Sequence, residues 1–322
     1  MKAIAITSLA GPEAVELVEL ADPVPGEGQV LIEVKATGVS FPEVLQTRGL
    51  YQLKPELPFV PGSECAGIVI SAPANSQFKT GDRVAALAWL GAFAEKVVAN
   101  ENQVFALPES VSFEAGAAIL LNYLTMHFGL IHRGQLAAGE TVLVHGAAGG
   151  IGTASIQIAK AYGAGKVIAV VSDQGKAQIA LDAGADDVVM VDGFKDEAKE
   201  LTNGRGVDIV VDPVGGDRFT DSLRSLAVDG RLLVIGFTAG EIPSVRTNRL
   251  LLNNISVVGV GWGAYILANP HFLNEQWEDI LPHLVSGAID PPIGAKFALE
   301  EAVAALKLID ERKATGKVVL TY

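Results

Sequence analysis

The most informative part of the chain is the stretch Thr141-Val142-Leu143-Val144-His145-Gly146-Ala147-Ala148-Gly149-Gly150-Ile151-Gly152. It has the pattern of an apolar strand, a turn of small residues and a helix that continues through 153–162, and a second apolar run follows at 166–171. The glycines let the main chain approach a ligand, and the amides and dipole at the helix start favour a diphosphate. We therefore predict a dinucleotide site, although a purely structural glycine turn has a similar pattern.

The composition is that of a globular protein. Hydrophobic residues make up 49% of the chain and charged residues 19%. A chain of 322 residues is long enough for two domains with large cores. The formal net charge is −13, and a field of that sign disfavours nucleic acid and anionic membranes. We expect neither nucleic acid nor a membrane as a partner.

Cysteine usage and the apolar runs bear on the cellular compartment. The one cysteine, Cys65, cannot form an internal disulfide, and its apolar neighbours at 66–69 predict a buried, inert thiol. The N-terminal segment breaks at Gly11-Pro12 before a signal-peptide core could form, and no uninterrupted apolar run approaches the ~20 residues that span a bilayer. These features predict a cytoplasmic protein.

The chain changes character near residue 120. Residues 1–120 contain short strand-like runs between Gly/Pro turns, which indicates a β-rich, barrel-like domain. Residues 121–262 alternate helical runs with Val/Ile runs, which is typical of a doubly wound parallel sheet. Residues 263–322, with an amphipathic helix at 299–311 and a final strand at 317–322, are expected to complete the first domain. The fold class is therefore α/β.

The predicted elements are short, as the frequent glycines and prolines require. In the first domain we place strands at 3–7, 16–20, 29–36 and 66–71. Two helices are placed at 113–120 and 123–131, around the domain boundary. In the second domain we place strands at 142–144, 167–171, 188–191, 209–211, 231–235 and 255–260.

Several motifs occur in order along the whole chain, and together they are specific although each alone is weak. They are Gly38-Val39-Ser40-Phe41-Pro42-Glu43, Gly49-Leu50-Tyr51, Pro61-Gly62-Ser63-Glu64, Gly81-Asp82-Arg83-Val84, Asn122-Tyr123-Leu124-Thr125, the turn at 147–152, Gly184-Ala185-Asp186, Val211-Asp212-Pro213-Val214-Gly215-Gly216, Gly236-Phe237 and Gly316-Lys317-Val318. In these motifs the chain resembles the zinc-free quinone oxidoreductase (zeta-crystallin-like) branch of the medium-chain dehydrogenase/reductase superfamily. The resemblance implies a GroES-like catalytic domain and a Rossmann domain.

The resemblance also bears on metal binding. Zinc alcohol dehydrogenases share this fold, and their catalytic zinc requires cysteine, histidine and cysteine or acidic ligands. The corresponding positions here are Ser40, Ser63 and Leu121, two hydroxyls and a hydrocarbon. Glu64 adds one carboxylate, which is not a metal site. We therefore expect no bound metal.

The choice of cofactor depends on the residues that follow the second strand of the βαβ unit. NAD-specific relatives place an acidic residue at the end of this strand to bind the adenosine ribose, but here Val171 is followed by Ser172. Ser172 and Lys176 suit a 2′-phosphate, although Asp173 adds a negative charge nearby. Alternatively, Ser172 caps the helix and Lys176 is a solvated surface lysine. The sequence predicts NADPH.

The resemblance implies further contacts with the cofactor. Thr125 would face the nicotinamide, whereas Val191 stands where relatives often carry an aromatic residue that stacks on adenine. Main-chain groups after two later strands, together with Lys317, would complete the cofactor site. The implied cofactor-binding residues are Thr125, Gly149, Gly150, Ile151, Ser172, Lys176, Phe237, Thr238, Gly261, Trp262 and Lys317.

Two residues are candidate catalytic groups. Ser40 stands where many quinone reductases carry asparagine, and Tyr51 matches a tyrosine proposed to contact substrate in the family. A phenol can donate a proton to an enolate. Alternatively, Tyr51 only closes the pocket as a loop aromatic.

These features predict an NADPH-dependent oxidoreductase that transfers hydride to a quinone or an α,β-unsaturated carbonyl compound. Without a Lewis acid, such conjugated acceptors suit hydride transfer better than simple alcohols do. One alternative is a 2-enoyl thioester reductase, which would need a basic rim, and 246–249 is the one obvious basic cluster. Another is a catalytically silent NADPH-binding protein. The strand-like run at 251–260 is expected to pair with its twofold mate in a homodimer.

Overall fold

The computed structural model describes residues 1–322, which form two compact units and confirm the α/β class. The first unit comprises residues 1–122, 273–285 and 291–322, and the second comprises 123–272 and 286–290. The predicted limits at 120 and 262 differ from these because 263–272 and 286–290 pack with the second unit. Within the first unit, the indole of Trp277 stacks on the ring of Phe105 with 5.0 Å between the ring centroids.

The first unit is built around one long strand of eleven residues. Its side chains alternate between buried and half-buried over its first half, with Val30, Ile32 and Val34 in the core. The first half pairs with a strand at 96–100 and the second half with the C-terminal strand, which confirms that the chain end returns to this domain. The strands of this unit are β1 (Lys2–Ile6), β2 (Val15–Glu19), β3 (Gln29–Val39), β4 (Glu64–Ser71), β5 (Arg83–Leu87), β6 (Lys96–Asn100), β7 (Val104–Ala106), β14 (Ile293–Ala298) and β15 (Lys317–Thr321).

The second unit contains a six-stranded, wholly parallel sheet. Its strands are β8 (Thr141–His145), β9 (Lys166–Val171), β10 (Asp187–Met190), β11 (Val207–Asp212), β12 (Leu226–Val234) and β13 (Ser256–Gly259). Their order is β10-β9-β8-β11-β12-β13, so the chain builds outward from β8 on one side and then on the other. In sheets of this order, ligands bind beyond the carboxyl ends of the strands at the point of reversal. All six predicted strands are confirmed, with β12 beginning five residues earlier than expected.

The helices lie between these strands. The two helices predicted at 113–120 and 123–131 are in fact one, and that prediction was wrong, because Leu121 and Asn122 between them are neither glycine nor proline. The helix continues as a π-helix over Phe128–Arg133. The α-helices are α1 (Phe41–Gln46), α2 (Phe113–His127), α3 (Gly150–Ala161), α4 (Ala177–Asp182), α5 (Phe194–Leu201), α6 (Phe219–Ser225), α7 (Asn248–Asn253), α8 (Trp262–Ala268), α9 (Phe272–Ser286) and α10 (Ala302–Asp310).

The helical segment Phe113–Arg133 has the length and apolar composition of a membrane span, with 21 residues and a mean hydropathy of 1.2 in its most apolar window. Within that window, 78% of the residues are buried inside the protein. A helix that is apolar on all sides is expected wherever a helix is enclosed by a protein core. Core packing therefore accounts for its composition.

A buried histidine ends β8, directly before the glycine turn. The His145 Nε2 atom lies 2.8 Å from Ser222 Oγ, and the ring meets Phe194 edge-on with 4.8 Å between centroids. His145 Nδ1 has no partner. Burial, and secondarily the charge of Arg218, lower the pKa of His145 from 6.5 to about 3. The imidazole is therefore neutral at neutral pH.

We predict that acid destabilises the protein through His145. Its pKa in the folded state lies below its unfolded value, so its stabilising contribution is complete above pH 6.5 and is lost as pH falls toward 3. At about 1.36 kcal/mol per pH unit, the loss at about pH 5 is roughly 2 kcal/mol. Urea unfolding of the wild type and of His145→Gln measures it. The difference in unfolding free energy between them should shrink by that amount between about pH 7.5 and about pH 5; a constant difference would contradict the prediction.

Candidate active site

The glycine turn joins β8 to α3. Helix α3 begins at Gly150 with Gly149 as its N-cap, so the amides of Gly150 and Ile151 have no intrahelical acceptor and carry the positive end of the helix dipole. A Cβ at Gly152 would lie 2.2 Å from Gly146 O, so that glycine is required for packing. A Cβ at Gly149 would meet only Gly146 O, at 3.4 Å. Packing alone does not require a glycine at 149, which leaves this position available to a ligand.

The other predicted cofactor-binding residues of the second unit follow the carboxyl ends of parallel strands. Because those ends share one edge of the sheet, the structure brings these segments to the edge that carries the glycine turn. The loop after β12 is tied to the loop after β11 by the Thr238 amide, which donates to Pro213 O at 3.1 Å. Thr125 lies on α2, half-buried. The segments at this edge are 149–151 after β8, 172–176 after β9, 237–238 after β12 and 261–262 after β13.

Ser172 and Lys176, the pair predicted to bind a 2′-phosphate, lie together. Lys176 Nζ donates to Ser172 Oγ at 2.9 Å. Asp173 shares the contact, because its Oδ2 accepts from Ser172 Oγ at 2.9 Å and lies 3.4 Å from Lys176 Nζ. The hydrogen bond from Ser172, and then the charge of Lys176, hold the pKa of Asp173 below its usual range. Asp173, and not Ser172, caps the following helical turn, since it accepts from the Lys176 amide at 3.2 Å.

In the first unit, Ser40 lies against a buried ion pair. Lys317 Nζ donates to Glu64 Oε1 at 2.5 Å and to Ser40 Oγ at 2.6 Å. The side chains of Lys317 and Glu64 are only 4% and 1% exposed, and the other oxygen of Glu64 accepts from the Leu121 amide at 2.8 Å. A Cβ at Gly38 would lie 2.7 Å from both Glu64 Oε1 and Lys317 Cε. The missing side chain at Gly38 thus provides the space in which the two charges meet.

A second buried carboxylate joins Ser40 to Ser63. Glu43 accepts hydrogen bonds from the Ser40 amide at 3.0 Å, the Ser63 amide at 3.1 Å and Ser63 Oγ at 2.6 Å. Burial raises the pKa of Glu43, and the hydrogen bond from Ser63 opposes that shift. Sequence reasoning missed this role, although a Ser-x-x-Glu spacing signals a glutamate that reaches back to the amide before a helix.

Tyr51 lies in the loop after α1, half-buried, and its hydroxyl has no partner in the protein. Burial first, and the negative charge of Glu43 second, raise the pKa of the Tyr51 phenol. The phenol therefore remains protonated at neutral pH and is able to donate a hydrogen bond or a proton.

The three positions that correspond to zinc ligands in alcohol dehydrogenases belong to this same network. Ser40 and Ser63 share Glu43, and the amide of Leu121 is bound by Glu64. No group of three or more His, Cys, Asp or Glu side chains is placed to hold a metal ion. The predicted burial of Cys65 is confirmed, and burial raises the pKa of its thiol to about 12.

A basic cavity of about 470 Å³ lies elsewhere on the second unit. Sequence reasoning missed it because its residues come from separate segments. It includes residues just before β11 and β13, so it lies at the amino-terminal edge of the sheet, opposite the glycine turn. Neighbouring aspartates pair with three of its four cations. The cations are Lys195, Lys199, Arg205 and Arg224.

Comparison with known proteins covers both units. Residues 26–109 match the family model of the alcohol dehydrogenase GroES-like domain, and residues 150–286 match that of the zinc-binding dehydrogenase. Quinone oxidoreductase-like protein 2 of Rattus norvegicus is 38% identical over 323 residues, which cover 99% of this chain and 92% of that protein.

Solved structures agree with this placement. A Mycobacterium abscessus protein described as a probable oxidoreductase is 44% identical with a TM-score of 0.92, covering 100% of this chain and 99% of that one. The Escherichia coli quinone oxidoreductase complexed with NADPH is 31% identical with a TM-score of 0.91, covering 100% of both chains. The chain therefore belongs to the quinone oxidoreductase branch of the medium-chain dehydrogenase/reductase superfamily.

Proposed function

We propose that this protein is a cytoplasmic, NADPH-dependent oxidoreductase that transfers hydride to a quinone or an α,β-unsaturated carbonyl compound without a metal. The observation that carries the proposal is the buried network of Ser40, Lys317 and Glu64. This network offers hydrogen-bond donors where alcohol dehydrogenases hold zinc. Hydrogen-bond donors stabilise charge that is spread over a conjugated acceptor, whereas oxidation of a simple alcohol also requires loss of the hydroxyl proton, which a Lewis acid such as zinc promotes.

The second unit fits the cofactor. NADPH supplies the hydride when it is bound. The amides at 150–151 and the open space at Gly149 suit its diphosphate, as helix N-termini suit anions in general. Ser172 and Lys176 suit its 2′-phosphate because they present a hydroxyl and an ammonium 2.9 Å apart. Binding there would draw Lys176 away from Asp173.

The first unit supplies the groups that act on the acceptor. Charge that reaches the carbonyl oxygen is stabilised by hydrogen-bond donors, and Tyr51 is a donor that stays protonated at neutral pH. Ser40 offers a second hydroxyl, whose oxygen accepts from Lys317 Nζ, while the Ser40 amide donates to Glu43. The two carboxylates of the network, Glu43 and Glu64, are engaged by the protein, since both oxygens of each accept hydrogen bonds from it.

The decisive assay is NADPH oxidation with quinones, enones and 2-enoyl thioesters. We expect turnover with the first two classes. Turnover with thioesters alone would favour the thioester reductase. That activity needs a basic rim near the active site, and the basic cavity does not supply one because it lies at the opposite edge of the sheet. Tight NADPH binding without any turnover would contradict the proposal and favour a silent binding protein. Zinc or a chelator should leave the rate unchanged.

Lys176 should select NADPH over NADH. A charge-assisted contact with the 2′-phosphate contributes roughly 1.5–3 kcal/mol, so Lys176→Ala should weaken NADPH binding roughly 10- to 150-fold and leave NADH binding unchanged. Fluorescence titration with both cofactors measures this. Asp173→Asn is the matched control: it keeps a good cap and removes the competing carboxylate, so it should tighten NADPH binding. Equal losses for both cofactors in Lys176→Ala would mean that the lysine serves structure.

Tyr51 should serve enones more than quinones. An enolate needs a proton donor, which typically contributes about 10²–10⁴-fold, whereas a hydroquinone anion is delocalised and takes its proton from water. Tyr51→Phe keeps the ring and removes the hydroxyl. Steady-state kinetics should show a large fall in enone turnover, a small fall in quinone turnover and unchanged NADPH affinity. Full activity with both substrates would reduce Tyr51 to a pocket wall.

We propose a homodimer formed through β13. This strand is at the edge of the sheet, paired only with β12, and the leucines just before it, Leu251 and Leu252, are 76% and 74% exposed. Such an edge invites pairing with a second copy. Light scattering at micromolar concentration should give the dimer mass. Leu251→Lys with Leu252→Lys should give a folded monomer, while Leu17→Lys, on another exposed strand, should remain dimeric. A wild-type monomer would contradict the proposal.

A further inference from the structure

The hydroxyl of Ser40 carries a proton that nothing in the protein accepts. Ser40 Oγ accepts a hydrogen bond from Lys317 Nζ at 2.6 Å, and the Ser40 amide is bound by Glu43. No protein acceptor takes the hydroxyl proton, even though Ser40 is largely buried, with 9% of the residue exposed. Its partner Lys317 and the Glu64 carboxylate that binds Lys317 lie deeper, with side chains 4% and 1% exposed. Ser40 therefore ends a chain of donors that runs outward from the buried Lys317 ammonium, which Glu64 holds.

Sheet register holds this chain in place. Val39 of β3 lies opposite Val318 of β15, so the next pair along is Ser40 and Lys317. On the other side of β3, Thr37 lies opposite Cys65 of β4, so Glu64 comes opposite Gly38. Positions 38 and 40 share one face of the strand, because side chains alternate. The ammonium and the carboxylate therefore meet over Gly38, and the ammonium also reaches Ser40.

The buried charge strengthens the free donor. A hydroxyl oxygen that accepts a hydrogen bond from a cation becomes more polarised, and its own proton is then donated more strongly. The effect is larger in a low-dielectric interior than in water. Glu64 keeps the ammonium in position, since its other oxygen is fixed by the Leu121 amide at 2.8 Å.

We propose that Ser40 donates a hydrogen bond to the substrate oxygen on which negative charge gathers, and that Lys317, held by Glu64, is a positioning residue that strengthens this bond. The inference rests on the proposed function. Hydride adds to the acceptor carbon, and the displaced π-electron pair moves through the conjugated system to the carbonyl oxygen. Ser40 and Lys317 keep their protons, and the final proton comes from Tyr51 or water. Lys317 would thus act on the substrate side of the reaction.

Kinetics at saturating NADPH test the donor. Ser40→Ala should lower kcat roughly 10²-fold for quinones and enones, as the loss of one oxyanion donor does. Lys317→Met alone would leave Glu64 charged and unpaired, so it is combined with Glu64→Gln, and that variant should lower kcat roughly tenfold. Adding Ser40→Ala to the Lys317→Met/Glu64→Gln variant should lower kcat no further than Ser40→Ala alone does, because Lys317 and Glu64 act through Ser40. The exposed controls Ser8→Ala and Lys79→Met should be unchanged.

A binding measurement gives a readout independent of turnover. In the presence of NADP⁺, 4-nitrophenol mimics the charged oxygen, and its absorbance reports its ionisation. Wild-type protein should shift this ionisation to lower pH, and the shift should vanish in Ser40→Ala and diminish in the Lys317→Met/Glu64→Gln variant.

Three outcomes would overturn the inference. In the first, the fall in kcat of the variant that combines Ser40→Ala with Lys317→Met and Glu64→Gln equals the product of the separate falls. Lys317 and Glu64 would then act independently of Ser40. The second is a fall in NADPH affinity that matches the fall in turnover, which would place Lys317 with the cofactor. The third is an unshifted nitrophenol in the wild type. If the wild type shifts nitrophenol but reduces neither substrate class, the proposed function fails while the donor chain stands.

Discussion

A buried ammonium and a buried carboxylate, 253 residues apart in the chain, organise the candidate active site of the first unit. Removing Lys317 and Glu64 from water is costly, and such a pair persists only where further hydrogen bonds saturate both groups. Ser40 supplies one of these on the lysine side, and the Leu121 amide supplies one on the glutamate side. Because no side chain at Gly38 intervenes, the charges can meet. The position of Ser40 follows from these requirements.

The same logic explains why Glu43 lies where it does. Its three hydrogen-bond donors come from Ser40 and Ser63, which belong to different segments of the first unit. Burial favours the protonated form of Glu43, and the three donors favour the charged form. Burial, and after it the charge of Glu43, raise the pKa of Tyr51, so the network that holds Ser40 also affects this phenol.

Two glycines in one turn of the second unit face different packing demands. Gly152 is required by the close approach of α3 to the turn, whereas Gly149 is under no such packing demand. His145, which ends β8 directly before the turn, is neutral and buried. At the end of β9, Asp173 both caps a helical turn and engages Lys176, so a 2′-phosphate would compete with a residue that also has a structural task. A preference for NADPH at this site would then depend on the difference between two interactions of the same lysine.

Local patterns determined most of the architecture. The Val/Ile runs identified all six strands of the second unit, and the turn of small residues at 146–152 identified the junction between β8 and α3, because strand and turn preferences act over a few neighbouring residues. Tertiary structure decided what depends on distant partners: Lys317 with Glu64 through the register of three strands, Glu43 with Ser63, and the four-cation cavity. It also merged two predicted helices into α2 and gave the capping role to Asp173 instead of Ser172. Burial and charge pairing arise only when segments far apart in sequence come together, so no local pattern carries them.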